Sequence, residues 1–209
     1  MEIHTLISFI VASVLLTFAP GPDILFVSTQ SMAQGARAGI AAAAGLCTGL
    51  IVHITLATAG ISVLIRQSPL AFNAVRIAGA LYLLWLAFQA FRHRNDPPIQ
   101  ADGNASAATT RLRKLYRTGT FMSMVNPKLI VFFLAFLPQF VPAGAEHAWQ
   151  YLLMLGAIFD LQAFLILSCV SLCAGALFRT LRSRPAISKA MNIVTALVFV
   201  CIAVSLFFV

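Results

Sequence analysis

Apolar residues run along this chain in six long blocks: from about Ile3 to Val27, Ala38 to Ile65, Leu70 to Phe91, Gly119 to Phe140, Ala148 to Phe178 and Ile187 to Phe208. Each is near or above the roughly 20 residues that an α-helix needs to cross the hydrocarbon core of a bilayer, and the fifth is long enough to tilt or protrude. Two blocks are interrupted. Pro20, Gly21 and Pro22 break the first, and Asn126-Pro127 breaks the fourth. The one long polar stretch, about Arg92 to Thr118, holds Pro97, Pro98, Gly103, Asn104 and Ser106 and reads as a mobile linker.

The two halves share a layout: a proline-broken apolar segment followed by two unbroken ones. Setting Pro22 against Pro127 places Gly21 opposite Asn126, Asp23 opposite Lys128 and Gln34 opposite Gln139. With an insertion, Gly45 and Gly49 fall opposite Gly156 and Asp160. Three spans is an odd number, so the halves would insert with opposite topology. The pattern predicts an all-α membrane protein of about six transmembrane helices, arranged as two inverted three-helix repeats with broken first and fourth helices. It forms one transporter domain over 1–209: repeat one over about 1–91, a cytoplasmic linker over about 92–118, and repeat two over about 119–209. Breaks at matched positions free backbone N–H and C=O groups near mid-membrane, where a polar ligand can satisfy them.

Composition agrees with that placement. Of 209 residues, 60% are hydrophobic and 10% charged, against about a quarter charged in a soluble domain. The net charge of +8 does not point to nucleic acid, because the basic residues sit in short loops. Arg37, Arg92, Arg94, Arg111, Arg113, Lys114, Arg117, Arg179, Arg182, Arg184 and Lys189 fall on one side of six alternating spans; Arg66 and Arg76 fall on the other. The positive-inside bias puts the linker in the cytoplasm and the C-terminus outside. The N-terminus is outside if the first segment spans fully and inside if it is re-entrant. It is not read as a cleaved signal peptide, since Glu2 and His4 come first and no small-x-small site follows Leu16. Cys47, Cys169, Cys173 and Cys201 all lie in apolar runs without a CxxC, which gives no redox pair or zinc site.

Four ionisable residues interrupt the apolar segments: Asp23, His53, Lys128 and Asp160. A charge at the bilayer centre costs about 2.5–3.5 kcal/mol on insertion scales, so each needs a partner or a watery cavity. Asp23 and Lys128 occupy equivalent positions after the two breaks. They read either as an ion pair holding the halves together or as the two contacts a zwitterion requires. His53 ends a stripe of small residues, Ala41, Gly45 and Gly49, at one-turn spacing. It is either a packed, hydrogen-bonded side chain or a proton relay. Asp160 has no basic neighbour in its own segment, so it is paired from elsewhere or protonated. Arg76 reads as an interfacial anchor, with a site role as the alternative. HExxH, GxSxG, Walker A and dinucleotide glycine patterns are absent, which leaves no enzyme or ATP-driven reading for this chain alone, and no metal or cofactor.

The stretch from Phe18 to Ile61, with Pro20, Gly21, Pro22, Gly35, Gly39, Gly45, Gly49, His53 and Gly60, resembles the N-terminal half of the lysine exporter (LysE) superfamily, of the homoserine/threonine-resistance (RhtB) type. Gly79 to Arg92 looks like that family's third segment. Phe121 to Val141, carrying Asn126, Pro127, Lys128, Pro138 and Gln139, looks like its second broken one, and Gly156 and Asp160 match its fifth. The resemblance implies a multi-pass exporter in the bacterial cytoplasmic membrane, driven by proton motive force. Its substrates would be amino acids or derivatives such as homoserine, its lactone, threonine or leucine. Its partners would be a small zwitterion, protons and lipid, with a homo-oligomer left open. A channel or a structural membrane subunit is the alternative. A membrane redox carrier would need cysteines in the first and fourth segments, which have none.

Overall fold

The computed structural model describes residues 2–19, 21–61, 69–92, 108–142, 144–183 and 185–205, and these are helical throughout apart from short turns. The first apolar block forms two helices, α1 (Ile3–Phe18) and α2 (Pro22–Gln34), meeting at 55°. α3 (Ala36–Leu56) follows after Gly35, whose φ of 89° is the left-handed conformation that only glycine takes without strain. A π-turn over Ala57–Ile61 extends α3. Next come α4 (Pro69–Arg92) and α5 (Ala108–Met124). The short α6 (Pro127–Val131) runs on through a π-turn (Phe132–Phe136) and a 3-10 turn (Leu137–Phe140), and it meets α5 at 48°. α7 (Ala148–Ser183) and α8 (Pro185–Ser205) complete the chain.

Among the described residues, Ala36–Gly60 and Ala148–Ala174 are each long and apolar enough to cross a membrane, and the two bent pairs add a span each when counted whole. α4 and α8 contribute the shorter apolar stretches Ile77–Arg92 and Asn192–Val204. Two expected boundaries are corrected. The polar linker does not run to Thr118: α5 is already helical from Ala108, so Arg113, Lys114 and Arg117 ride on an exposed helical extension. Apart from Arg92, which closes α4, the rest of that linker lies outside the described residues. The first segment also continues past Val27 to Gln34, because nothing in Ser28–Gln34 stops a helix before Gly35.

Small residues set the packing. In lipid the tails are as apolar as leucine, so helices associate by close van der Waals fit and hydrogen bonds. A Cβ on Gly45 would collide with the Tyr116 carbonyl oxygen, and one on Gly49 would fall 2.5 Å from Ser123 Cβ. The stripe on α3 is therefore filled by α5 of the same chain. Gly45 meets Tyr116, Gly49 meets Thr120 and Ser123, and His53 meets Ser123, so α3 and α5 run parallel. α7 runs antiparallel to α3: Ala36 pairs with Ser171, Cys47 with Asp160, and Ile54 packs on Gly156.

Candidate functional site

The two helix breaks meet. Each half-helix after a break begins with proline at its first position, where the missing N–H is not needed. Asn126 caps α6, its Oδ1 accepting from the Lys128 backbone N–H at 3.1 Å. Its Nδ2 reaches the other way and donates to Asp23 Oδ1 at 2.8 Å. Lys128 Nζ lies 3.4 Å from Asp23 Oδ2, with side chains 7% and 13% exposed. That is longer than the 2.7–2.9 Å of a tight charge-assisted bond, so the pair is close yet loose. Gly21 makes room for it, since a Cβ there would sit 3.1 Å from Nζ. Asp23 also lies in the first turn of α2, where the helix dipole favours a negative charge.

His53 serves the second break. Pro127 has no N–H to give to the carbonyl four residues back, Ser123. That oxygen instead accepts from the Asn126 N–H at 3.0 Å and from His53 Nε2 at 2.8 Å. A carbonyl only accepts, so Nε2 carries the proton. The imidazole stacks on Phe133 with ring centroids 6.0 Å apart, and it is buried.

The pair lines a small cavity of about 20 Å³ together with Ser123, Leu46, Leu50 and Phe159, which is the space of roughly one water. Toward the Arg37 end, Ser31 Oγ and Ser171 Oγ lie 2.8 Å apart and Ser171 Oγ donates to the Ala36 carbonyl at 2.8 Å, which ties α2 to α7 beside α3. On the opposite side, Phe9, Phe132, Phe136, Phe140 and Phe159 form a contiguous aromatic cluster.

The remaining expected site residues make other contacts or lie outside the described set. Asp160 is on α7 against α3, with Cys47 Sγ 3.8 Å from its carbonyl oxygen; its buried Oδ1 has no hydrogen-bond partner. It is not among the residues lining the small cavity of the Asp23–Lys128 pair. Gln139 Nε2 donates to the Ala135 carbonyl at 3.1 Å and faces the groove between α1 and α8. Arg76 is on α4, with its side chain outside the described set, and Pro20 lies outside the described residues altogether. Two contributors were missed in the sequence. Ser123 could have been found as the carbonyl orphaned by Pro127. The Ser31–Ser171 contact carries no local signal, because its partners are 140 residues apart.

Broken helices meeting at an ion pair are joined here by a match to LysE type translocators over residues 14–208. The chain belongs to the LysE type translocator family. It is 31% identical over 200 residues to a leucine efflux protein of Klebsiella pneumoniae subsp. pneumoniae, covering 96% of this chain and 93% of that one. It is 30% identical over 203 residues to a leucine efflux protein of Enterobacter sp. (strain 638), covering 95% and 93%. An uncharacterized membrane protein of Vibrio cholerae is 33% identical over 156 residues, covering 75% and 74%. No solved structure matches. The translocator match and the apolar helices place the chain in a membrane.

Proposed function

We propose that this translocator exports small amino acids with aliphatic side chains, leucine among them, across the bacterial cytoplasmic membrane by proton antiport. The observation that carries the reading is the bridge of Asp23, Asn126 and Lys128 between the two breaks. A zwitterion needs an anionic partner for its ammonium and a cationic one for its carboxylate. A loose, buried pair offers both once it parts. The leucine walls around the pair suit an aliphatic side chain, and two relatives of matching length are leucine efflux proteins.

A cavity of about 20 Å³ is far below the roughly 300–1,000 Å³ of ligand pockets, so the arrangement corresponds to a closed state in which the pair neutralises itself. In this reading the Ser31–Ser171 contact seals the cytoplasmic side and the aromatic cluster seals the outer side. Transport parts them alternately as two inverted three-helix repeats rock about the breaks. Six spans agree with the helix directions, since α3 and α5 both run outward while α7 returns. They also place Arg37, Arg113, Lys114 and Arg117 in the cytoplasm. Asp160, with a buried carboxylate oxygen lacking a partner, is the proton carrier. His53 holds the second break through its Nε2 proton.

The test is efflux of labelled amino acids from proteoliposomes with and without an imposed proton gradient. Saturable efflux of leucine and close aliphatic analogues, accelerated by the gradient, is expected. Unsaturable flux that ignores the gradient would identify a channel. No flux of any amino acid would refute the reading.

A further inference from the structure

Membrane helices hide serine and threonine hydroxyls by bonding them to a carbonyl one turn back. This chain does so repeatedly: Thr17 to Ser13, Ser28 to Ile24, Ser31 to Val27, Thr48 to Ala44, Thr55 to Ile51 and Thr120 to Tyr116. Ser123 does not. It is 0% exposed and its Oγ has no hydrogen-bond partner, although Thr120, one turn earlier on the same helix, makes the usual bond. Burying a hydroxyl without a partner is unfavourable, and the backbone around Ser123 is held on its other side. Its carbonyl is fixed by His53 and Asn126. Its Cβ is pressed against α3 where only Gly49 leaves space.

Ser123 lines the same small cavity as Asp23 and Lys128. Both Asp23 oxygens are engaged there, Oδ1 by Asn126 and Oδ2 by Lys128. The Ser123 O–H and the further N–H groups of the Lys128 ammonium remain as two kinds of donor at one cavity. Neighbouring donors of this kind suit an anionic group. We propose that Ser123 Oγ is a substrate-binding group that donates a hydrogen bond to the substrate's carboxylate alongside Lys128 Nζ, while Asp23 takes the ammonium. This rests on the amino-acid export reading and names the contact that orients the zwitterion. The mechanics are consistent: His53 and Asn126 hold the Ser123 backbone, so the residue keeps its place in the cavity lining when the halves move.

The experiment pairs efflux kinetics with ligand-free stability for Ser123→Ala and Ser123→Cys, which keep the Cβ that packs against Gly49 but lose or weaken the donor. Leucine is the labelled probe. KM for efflux is expected to rise about tenfold in Ser123→Ala and less in Ser123→Cys, as for loss of a bond to a charged group. The maximal rate is expected to hold. The unfolding temperature without substrate should stay level or rise, because an unpaired buried hydroxyl has been removed. An unchanged KM beside normal wild-type export would overturn the Ser123 contact and leave the export reading intact. A fall in ligand-free stability matching the loss of function would show a structural role and would equally overturn it. If the wild type moves no amino acid, both readings fall together.

Discussion

Asn126 does two jobs with opposite ends of one amide, and a single isosteric change separates them. In Asn126→Asp the acceptor that caps Lys128 N–H is kept, worth about 1 kcal/mol. The donor to Asp23, at 2.8 Å, is lost, and a bond of that kind to a charged group contributes about 1.5–3 kcal/mol. Two carboxylates at that separation also repel by about 6 kcal/mol at an effective dielectric near 20, which Lys128 partly offsets. A net destabilisation of about 2–4 kcal/mol is expected, or a drop of roughly 5–10 °C in unfolding temperature for a chain of this size. The assay is thermal unfolding of purified protein in detergent, followed by size-exclusion recovery. Asn126→Ala loses cap and bridge together without adding a charge, so its deficit should reflect the two lost bonds alone. Wild-type stability of Asn126→Asp would refute the bridge as a contributor to the fold.

Two further outcomes follow from the same contacts. Gly45→Ala drives a Cβ into the Tyr116 carbonyl oxygen. Overpacking of that kind costs about 1–3 kcal/mol, so its unfolding temperature should fall, whereas Gly60→Ala, with nothing within 4 Å, should match wild type. His53→Gln keeps an N–H donor and should retain gradient-driven efflux within about threefold, while His53→Phe removes it and should lower stability by about 1 kcal/mol or more; complete loss of gradient dependence in His53→Gln would make the imidazole a proton relay instead.

The helix-forming blocks and both breaks were legible in the sequence because they depend on local facts: apolar runs of membrane length, and prolines that remove an N–H. The meeting of Asp23 with Lys128 was legible as well, through the matched spacing of the two breaks. What stayed hidden depends on geometry across the bundle. Whether the Gly45–Gly49 stripe packs within the chain or between copies cannot be read from α3 alone; it took α5 laid along it to decide. The polar linker was read too long because its last residues are charged, yet charge does not prevent a helix that extends from a buried span. That His53 meets the carbonyl Pro127 cannot satisfy was not readable from its own segment, because that carbonyl, on Ser123, lies 70 positions away.

The Asp23 bridge also bears on how the protein is made. In the proposed topology Asp23 enters the bilayer with the first segment, and its amide partner Asn126 lies 103 residues later. At about 5–20 residues per second, the carboxylate waits roughly 5–20 s in the membrane before either neutralising group is synthesised. A charge near mid-bilayer costs about 2.5–3.5 kcal/mol in that interval. In that topology the first half is a transient tenant of the membrane until the second arrives, and the Asn126 amide and the Lys128 ammonium would first act in biogenesis, before transport.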